Sequence, residues 1–579
     1  MKQLWTKWLA LRSKTQACKC ATYVIAAVFA VTIFAQCVSF HSIVYSEASF
    51  EPIYLVSMLL KACIAIFFAS FWLITPQKYW VLPVSALVGF WSMAELIYFR
   101  SNSIFIEKYS LTMVGNMAGV WDSIWLFNHA IDWVLLLPTL VLGIVVYLFY
   151  SKQTHFQAFL IALAVSFLLN GVGCYGIHRK LECVRPVCTH KHVFNPYAKF
   201  GDASYLGFTT ENYVRNVSVL HSLIFQVKEL VLMPFEKETY EMTTIESEQA
   251  HLYVQPPNVN CTPATPLIVL LIESFESWTI TPEVTPNLYQ FIQDTPSLLY
   301  ANKVQSQVRH GVSADGQMIV NTGLLPLTDG ATCFRYPQHT YPAISHLYQN
   351  PGIVVALSLS YWNQKFMNEA YGIQQAYVVP SWLDSKMFAQ LDAVKSQHDY
   401  ILSLTMTMHA PFQKCPVNTY PAVDGMPDDI YRYLNSVKYM DKHLGRILSA
   451  IANDPQTHSS TVVITGDHNV LSYKTRNNFK QLNQELQLGF DEIGEYIPLI
   501  IYSPRIEQKV MITDTICQMD IYPTLLHILD CESYYWKGFG VNLLEKDAWK
   551  HRPIQPKEAQ RLSDKMIRAN YFEKLVTEE

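Results

Sequence analysis

The sequence predicts a bundle of five membrane-spanning helices followed by an exported α/β domain with a largely parallel central sheet. Three observations predict it. Long apolar runs crowd the chain up to about residue 175, short β-branched runs alternate with helix-like segments from about residue 266, and basic residues gather before the first apolar run. Averages over the 579 residues (50% hydrophobic, 13% aromatic, net charge −4) hide this division. Such a charge, without a concentrated basic face, gives no support for a nucleic-acid partner. The sequence holds no internal repeat and no low-complexity tract.

The five apolar runs are 21–44, 53–75, 79–98, 131–150 and 156–175. Each is long enough, at about 20 helical residues, to cross a hydrocarbon layer about 30 Å thick. Trp72, Tyr79, Trp80 and Trp133 sit near their ends, where amphipathic rings favour the interface. Five runs in one block argue against buried helices of a soluble core, and four runs after the first argue against a cleaved signal peptide. Lys2, Lys7, Arg12, Lys14 and Lys19 precede the first run, which places the N-terminus in the cytoplasm. The loops at Lys78 and Lys152 then lie inside, and those with Glu47 and Glu51, and with Arg100, Glu107 and Asp122, lie outside. An odd number of spans puts everything after Tyr175 outside.

The expected organisation is a transmembrane domain (1–175), a juxtamembrane linker (176–263), a catalytic domain (264–548) and a C-terminal tail (549–579). The linker carries Pro186, Pro196, Pro234, Pro256 and Pro257, with a helical piece around 217–233. Cys183, Cys188, Cys261, Cys333, Cys415, Cys517 and Cys531 follow the last span, and Cys174 sits at its edge. An exported domain could oxidise some of them, in a connectivity the sequence does not reveal. Strands are expected at 267–272, 353–357, 400–404, 461–464 and 497–502. Their alternation with helices indicates βαβ units, whose ligands bind beyond the carboxyl ends of the strands.

Those ends carry polar groups suited to phosphoryl transfer. Leu267–Ile272 runs into Glu273, the strand from Thr461 into Asp467 and His468, and the strand from Ile401 toward His409. Two carboxylates and an imidazole at corresponding strand ends suit a hard divalent cation. Ser313, in Gly-Val-Ser-Ala-Asp-Gly-Gln, precedes the helix-like stretch Met318-Ile-Val. A serine there either caps the helix or stands beside a phosphate held by the free amides, as a nucleophile. The segment alone leaves both open.

From about Pro266 to Leu544 the chain resembles the alkaline phosphatase/sulfatase superfamily. With its five spans it most resembles the lipoteichoic acid synthase-like phosphoglycerol transferases. The resemblance rests on Val-Leu-Leu-Ile-Glu-Ser-Phe-Glu-Ser (269–277), Val-Thr-Pro-Asn-Leu (284–288), Gly-Val-Ser-Ala-Asp-Gly-Gln (311–317) and Tyr-Trp-Asn-Gln (361–364). It continues through Met-His-Ala-Pro-Phe (408–412), Thr-Gly-Asp-His (465–468), Ile-Pro-Leu-Ile-Ile-Tyr (497–502) and Asp-Ile-Tyr-Pro-Thr-Leu-Leu (520–526). In the membrane part, Tyr-Phe-Arg (98–100) is similar to a stretch common in the family.

This resemblance implies that Glu273, Asp467 and His468 bind one divalent metal, manganese or magnesium favoured and zinc possible. Ser313 stands where the family has a threonine nucleophile, and it would complete the metal's ligands. His409 would contact the phosphate or assist the leaving group, and Trp362 would line the head-group pocket. Gln364 stands where the family has an arginine, and an amide cannot supply that charged fork. The implied reaction is double displacement through phospho-Ser313. The implied donor is a membrane phospholipid and the acceptor an envelope glycan or lipid, at a bacterial cytoplasmic membrane. A phosphoethanolamine transferase is the nearest rival, although no Pro-Cys pair follows Ser313. A sulfatase would carry a Cys/Ser-x-Pro-x-Arg segment, which Ser313-Ala-Asp-Gly-Gln lacks. A non-catalytic scaffold would not need these four residues intact. Acceptor and oligomeric state are not legible.

Overall fold

A computed structural model describes residues 20–45, 52–75, 79–102, 105–106, 110, 127–150, 153–184, 214–215, 217–232, 241–254, 261–471 and 473–577. The basic residues before the first span, the acidic and basic residues of the loops apart from Arg100, and the prolines of the expected linker lie outside these. So do Cys188 and the side chains of Cys174 and Cys183. The chain divides into two compact units, the first made of residues 1–108 and 121–236 and the second of residues 109–120 and 237–579.

The first unit is helical: α1 (Ala21–Tyr45), α2 (Pro52–Ser70), α3 (Val81–Asn102), α4 (Leu137–Phe149), α5 (Phe156–Val184) and α6 (Val219–Leu232). Five helical stretches are long and apolar enough to span a membrane: Ala21–Tyr45, Leu55–Leu73, Val81–Arg100, Ala130–Phe149 and Phe156–Gly173. The fourth starts as a 3₁₀ turn, Ala130–Leu136, and passes into α4 at Pro138, where a missing N–H costs nothing. Large apolar side chains face outward on the last two spans, among them Leu140, Ile144, Ile161 and Leu168, as a lipid surround requires. Inside, polar contacts fasten helix to helix. Gln36 of α1 donates to Ser85 O of α3 and to Leu135 O, each at 3.0 Å. Arg100 makes a two-pronged ion pair with the wholly buried Asp132, at 2.6 and 2.8 Å.

The second unit is built on nine strands: β1 (Leu267–Ile272), β2 (Leu298–Gln305), β3 (Pro351–Ala356), β4 (Gln375–Val379), β5 (Tyr400–Leu404), β6 (Thr461–Gly466), β7 (Ile497–Tyr502), β8 (Val510–Ile512) and β9 (Ile516–Cys517). The order is β4-β3-β5-β1-β6-β7-β2-β8, with β9 also on β2. β1 lies parallel to β5 and β6 on either side. β7 alone opposes its neighbours, antiparallel to both β6 and β2. Because two reversals cancel, β2 points the same way as β6. The carboxyl ends of β1, β2, β3, β5 and β6 therefore share one edge. All six residues of β1 are buried, since helices cover both faces of the sheet and leave no polar side to alternate with.

The principal helices of this unit are α7 (Pro286–Asp294), α8 (Ser313–Thr322), α9 (Asp384–Val394), α10 (Asp428–Asn453), α11 (Pro556–Arg568) and α12 (Tyr571–Thr577). α7, α9 and α10 contribute Leu288, Leu391, Val437 and Leu444 to the core beside β1 and β6. The stretch 241–254, read as linker, and the stretch 549–577, read as tail, both belong to this unit. Cys261, just before β1, is disulfide-bonded to Cys531, with the Cα atoms 5.4 Å apart. Cys333, Cys415 and Cys517 are free thiols.

Candidate active site

The apolar run of β1 ends at Glu273, and the polar groups there are fixed by neighbouring strand ends. The Glu273 amide donates to Thr405 Oγ1 (2.9 Å), in the segment leaving β5. Ser274 has a φ of +54° and donates its amide to Asp467 Oδ1 (2.7 Å) and its hydroxyl to Glu273 Oε1 (2.6 Å). Tyr433 of α10 donates its hydroxyl to Ser274 O (2.7 Å) and accepts from the Glu276 amide (3.1 Å). At the end of β6, Gly466 allows the two segments to cross, since a Cβ there would lie 2.2 Å from Phe275 O.

Asp467 and His468 follow. The Asp467 carboxylate also accepts from the His468 amide (2.8 Å). His468 Nδ1 lies 2.9 Å from Asn469 O, and a carbonyl can only accept, so Nδ1 carries the proton. The neutral ring then offers the Nε2 lone pair, which lies 3.5 Å from Asp467 Oδ2 and 3.6 Å from Glu273 Oε1. One ligand atom from each of Glu273, Asp467 and His468 falls within 4.8 Å of the others.

Ser313 reaches this cluster from β2. Asp315, wholly buried, accepts from the amides of Arg309 (2.9 Å) and Gly311 (2.8 Å) and so folds the loop leading into α8. Val312, at a φ of +44°, precedes the helix in a conformation uncommon for a β-branched residue. Ser313 is the first residue of α8, and Val312 stands at the cap position. Ser313 Oγ lies 3.3 Å from Glu273 Oε2 and 3.3 Å from His468 Nε2. It faces the acidic cluster from the amide end of a ten-residue helix.

Electrostatics make the cluster uncomfortable unless a cation joins it. Burial, and then the neighbouring charge of Glu273, pushes the Asp467 carboxyl up to about 7. Burial alone would lower His468, but Asp467 and Glu273 together raise it. Two buried carboxylate oxygens, an imidazole lone pair and a hydroxyl converging from three segments are a donor set that fits a divalent ion. Glu276, buried behind them, accepts from Val470 N (2.8 Å), Leu471 N (3.3 Å) and Trp278 Nε1 (2.6 Å), which holds the loop after His468.

Glu273, Ser313, Asp467 and His468 thus come together. His409 comes off the adjacent strand end, after β5; its Nδ1 lies 2.8 Å from Ala410 O, and its ring is edge-on to Trp382 at 5.6 Å. Trp362 follows β3, beyond β5, at a φ of +49° with its ring 6.2 Å from Phe334. Gln364 is buried and its amide donates to Asn368 Oδ1 (2.7 Å), one turn along its own helix. Ser274, Asp315, Thr405 and Glu276 were not expected from the sequence. Ser274, Glu276 and Asp315 lie in the stretches 269–277 and 311–317 that carry the resemblance, whereas Thr405 left no signal.

Gly316 sets how closely α8 approaches β6, because a Cβ there would lie 2.7 Å from Asp467 O and 3.1 Å from its Cα. Backbone cannot yield as a side-chain tip can. Gly316→Ala should weaken metal binding by roughly 10–100-fold, as displacing an outer-shell support does. Metal titration of the purified protein checks this; unchanged affinity would mean the helix sits further from the ligands.

The N-terminal part matches the lipoteichoic acid synthase N-terminal domain family over residues 1–181, and the second unit matches the sulfatase family over residues 267–531. The chain is a lipoteichoic acid synthase-like member of the alkaline phosphatase/sulfatase superfamily. Among similar members, the lipoteichoic acid synthase-like protein YvgJ of Bacillus subtilis (strain 168) is 27% identical over 316 residues, 48% of this chain. The chain spans about half the length of that relative, 50%. Lipoteichoic acid synthase of Staphylococcus aureus (strain USA300) is 22% identical over 526 residues, covering 83% of this chain and 76% of that protein. Among solved structures, the lipooligosaccharide phosphoethanolamine transferase A of Neisseria meningitidis is 11% identical, with a TM-score of 0.50 over 88% of this chain and 95% of that one. That likeness speaks to the fold. The family bears out the expected architecture: five apolar helices and a mostly parallel α/β domain.

Proposed function

We propose that this protein is a membrane phosphotransferase that moves a phospholipid-derived head group, phosphoglycerol above all, to an envelope glycan or lipid through a phospho-Ser313 intermediate. The observation that carries the reading is Ser313 Oγ, 3.3 Å from both Glu273 and His468 at the head of α8. Glu273, Ser313, Asp467 and His468 would hold one divalent ion, manganese or magnesium in preference to zinc for a mainly oxygen donor set. Such an ion supplies charge neutralisation at the phosphoryl oxygens and a lowered pKa for the serine hydroxyl.

Ser313 Oγ attacks phosphorus as its proton leaves to water. A bond from Oγ to phosphorus forms, and the bond from phosphorus to the diacylglycerol oxygen breaks. Nε2 of His409 is the nitrogen that passes a proton to that oxygen, because Nδ1 is already committed to Ala410 O. In the second half the same nitrogen accepts the proton of the acceptor hydroxyl as that oxygen bonds to phosphorus; the bond from phosphorus to Ser313 Oγ breaks, and Oγ takes back a proton from water. The free amides at the start of α8 favour the phosphate's negative charge. Trp362 lines the head-group pocket in this reading. Gln364, spent on Asn368, leaves the pocket without the family's arginine. Five spans with the N-terminus in the cytoplasm set the catalytic unit outside, at a bacterial cytoplasmic membrane and within reach of lipid head groups.

The test is mass spectrometry of the purified protein after incubation with defined phospholipids. Phosphoglycerol attached to Ser313 is the expected result. Phosphoethanolamine on Ser313 would replace the donor, and no adduct with any phospholipid would remove the transferase reading.

A further inference from the structure

The C-terminal helices hold α8 at both of its ends. α11 turns one face inward, burying Ala559, Gln560, Leu562, Ser563, Met566 and Ile567. The buried amide of Gln560 donates from Nε2 to Pro326 O (2.6 Å) and accepts from Arg309 Nε (3.4 Å). Arg309 lies four residues before Ser313, and Pro326 lies just beyond the end of α8. One side chain therefore touches both the segment entering the helix and the segment leaving it.

One turn along, Ser563 Oγ donates to Leu325 O (2.6 Å) and accepts from Leu325 N (2.9 Å). Asp564 accepts from the amide of Thr328 (3.0 Å). On α12, Phe572 packs against Trp536 at 5.2 Å, and the Trp536 indole donates to Thr322 O (2.7 Å), the last residue of α8. A helix is a stiff rod, so fixing both ends fixes the reach of its first side chain. Apolar residues would bury this face equally well. Paired polar groups add a single allowed placement, because any other leaves a buried donor or acceptor unmet. The match to the sulfatase family ends at residue 531, so the C-terminal half of this clamp, Trp536, Gln560, Ser563 and Asp564, lies outside it.

We propose that Gln560 and Ser563 are positioning residues that set Ser313 Oγ against Glu273 and His468. The inference rests on Ser313 being the nucleophile. The test uses the full chain with Gln560→Met, which keeps length and removes both polar atoms, beside Arg561→Ala on the exposed face of the same helix. Gln560→Met should lower kcat about tenfold or more, since small misplacements of a reacting group are costly, with KM for the phospholipid unchanged. Amide hydrogen exchange over residues 309–316 should quicken, and Arg561→Ala should match wild type in both measurements. Wild-type kcat and exchange in Gln560→Met would overturn the clamp, whatever its melting temperature. If Gln560→Met does not fold, Ser563→Ala removes a smaller group and is judged by the same two readings. If the wild-type protein transfers no head group, the functional reading fails and the exchange measurement alone decides: faster exchange upholds the clamp, and unchanged exchange overturns it.

Discussion

Ser313→Ala should abolish head-group transfer, with a drop on the order of 10⁴ or more, as nucleophile removal does elsewhere. Metal binding should largely survive, because Glu273, Asp467 and His468 still converge within 4.8 Å. Ser313→Thr should keep substantial activity, since the extra methyl leaves the hydroxyl available and related enzymes carry threonine there. Ser313→Cys should be poor, a thiolate being a soft partner for a hard cation. The ordering is the diagnostic: threonine well above cysteine, alanine near zero. An alanine variant that turned over phospholipid at an appreciable fraction of the wild-type rate would make water the nucleophile and the protein a lipid hydrolase.

The second large effect is at Asp467. Asp467→Asn keeps an oxygen to accept from the amides of Ser274 and His468, so the loop retains its shape. It removes a charge the ion needs. Metal affinity should fall by more than the roughly 10–100-fold cost of losing an outer-shell support, and activity should fall with it. Stability without metal should move the other way. The Asp467 carboxyl is held up to about 7 by burial and by Glu273. A raised carboxyl costs folding stability that grows as pH climbs from the ordinary carboxylate range through 7. The metal-free variant should therefore melt at or above metal-free wild type at pH 8, and the difference should vanish near pH 4. Added metal should stabilise wild type and leave the variant unmoved. Equal metal-induced stabilisation in both proteins would take Asp467 out of the site.

Legibility followed burial. β1 and β6 are buried throughout, so β1 is an unbroken apolar run and β6 has an apolar centre, and the polar residues after them stand out. That contrast located Glu273, Asp467 and His468. β2 was invisible because Leu298–Gln305 mixes buried and half-exposed positions, and β4 because most of its residues are exposed. With β2 unseen, nothing in the sequence alone could carry Ser313 to the same sheet edge; the resemblance did so. Ser274 and Val312 owe their roles to left-handed backbone, which leaves no compositional trace in non-glycine residues. Gln560 and Ser563 sit in the stretch 549–579, which the sequence marks only as a C-terminal tail. Their importance comes from buried hydrogen bonds to partners more than two hundred residues away.

The position of β1 in the sheet has a consequence for biogenesis. It is the first strand of its unit to be synthesised, yet it lies between β5 and β6. Glu273 and its partner Thr405 are 132 residues apart, and Ser274 and Asp467 are 193 apart. A chain made from its N-terminus presents Leu-Ile-Val-Leu-Leu-Ile with both edges bare for most of the domain's length. Contacts so distant in sequence form slowly, and an unpaired apolar strand is sticky while it waits. Pairing of β1 is therefore late, and the cluster of Glu273, Asp467 and His468 cannot assemble until β6 has been made.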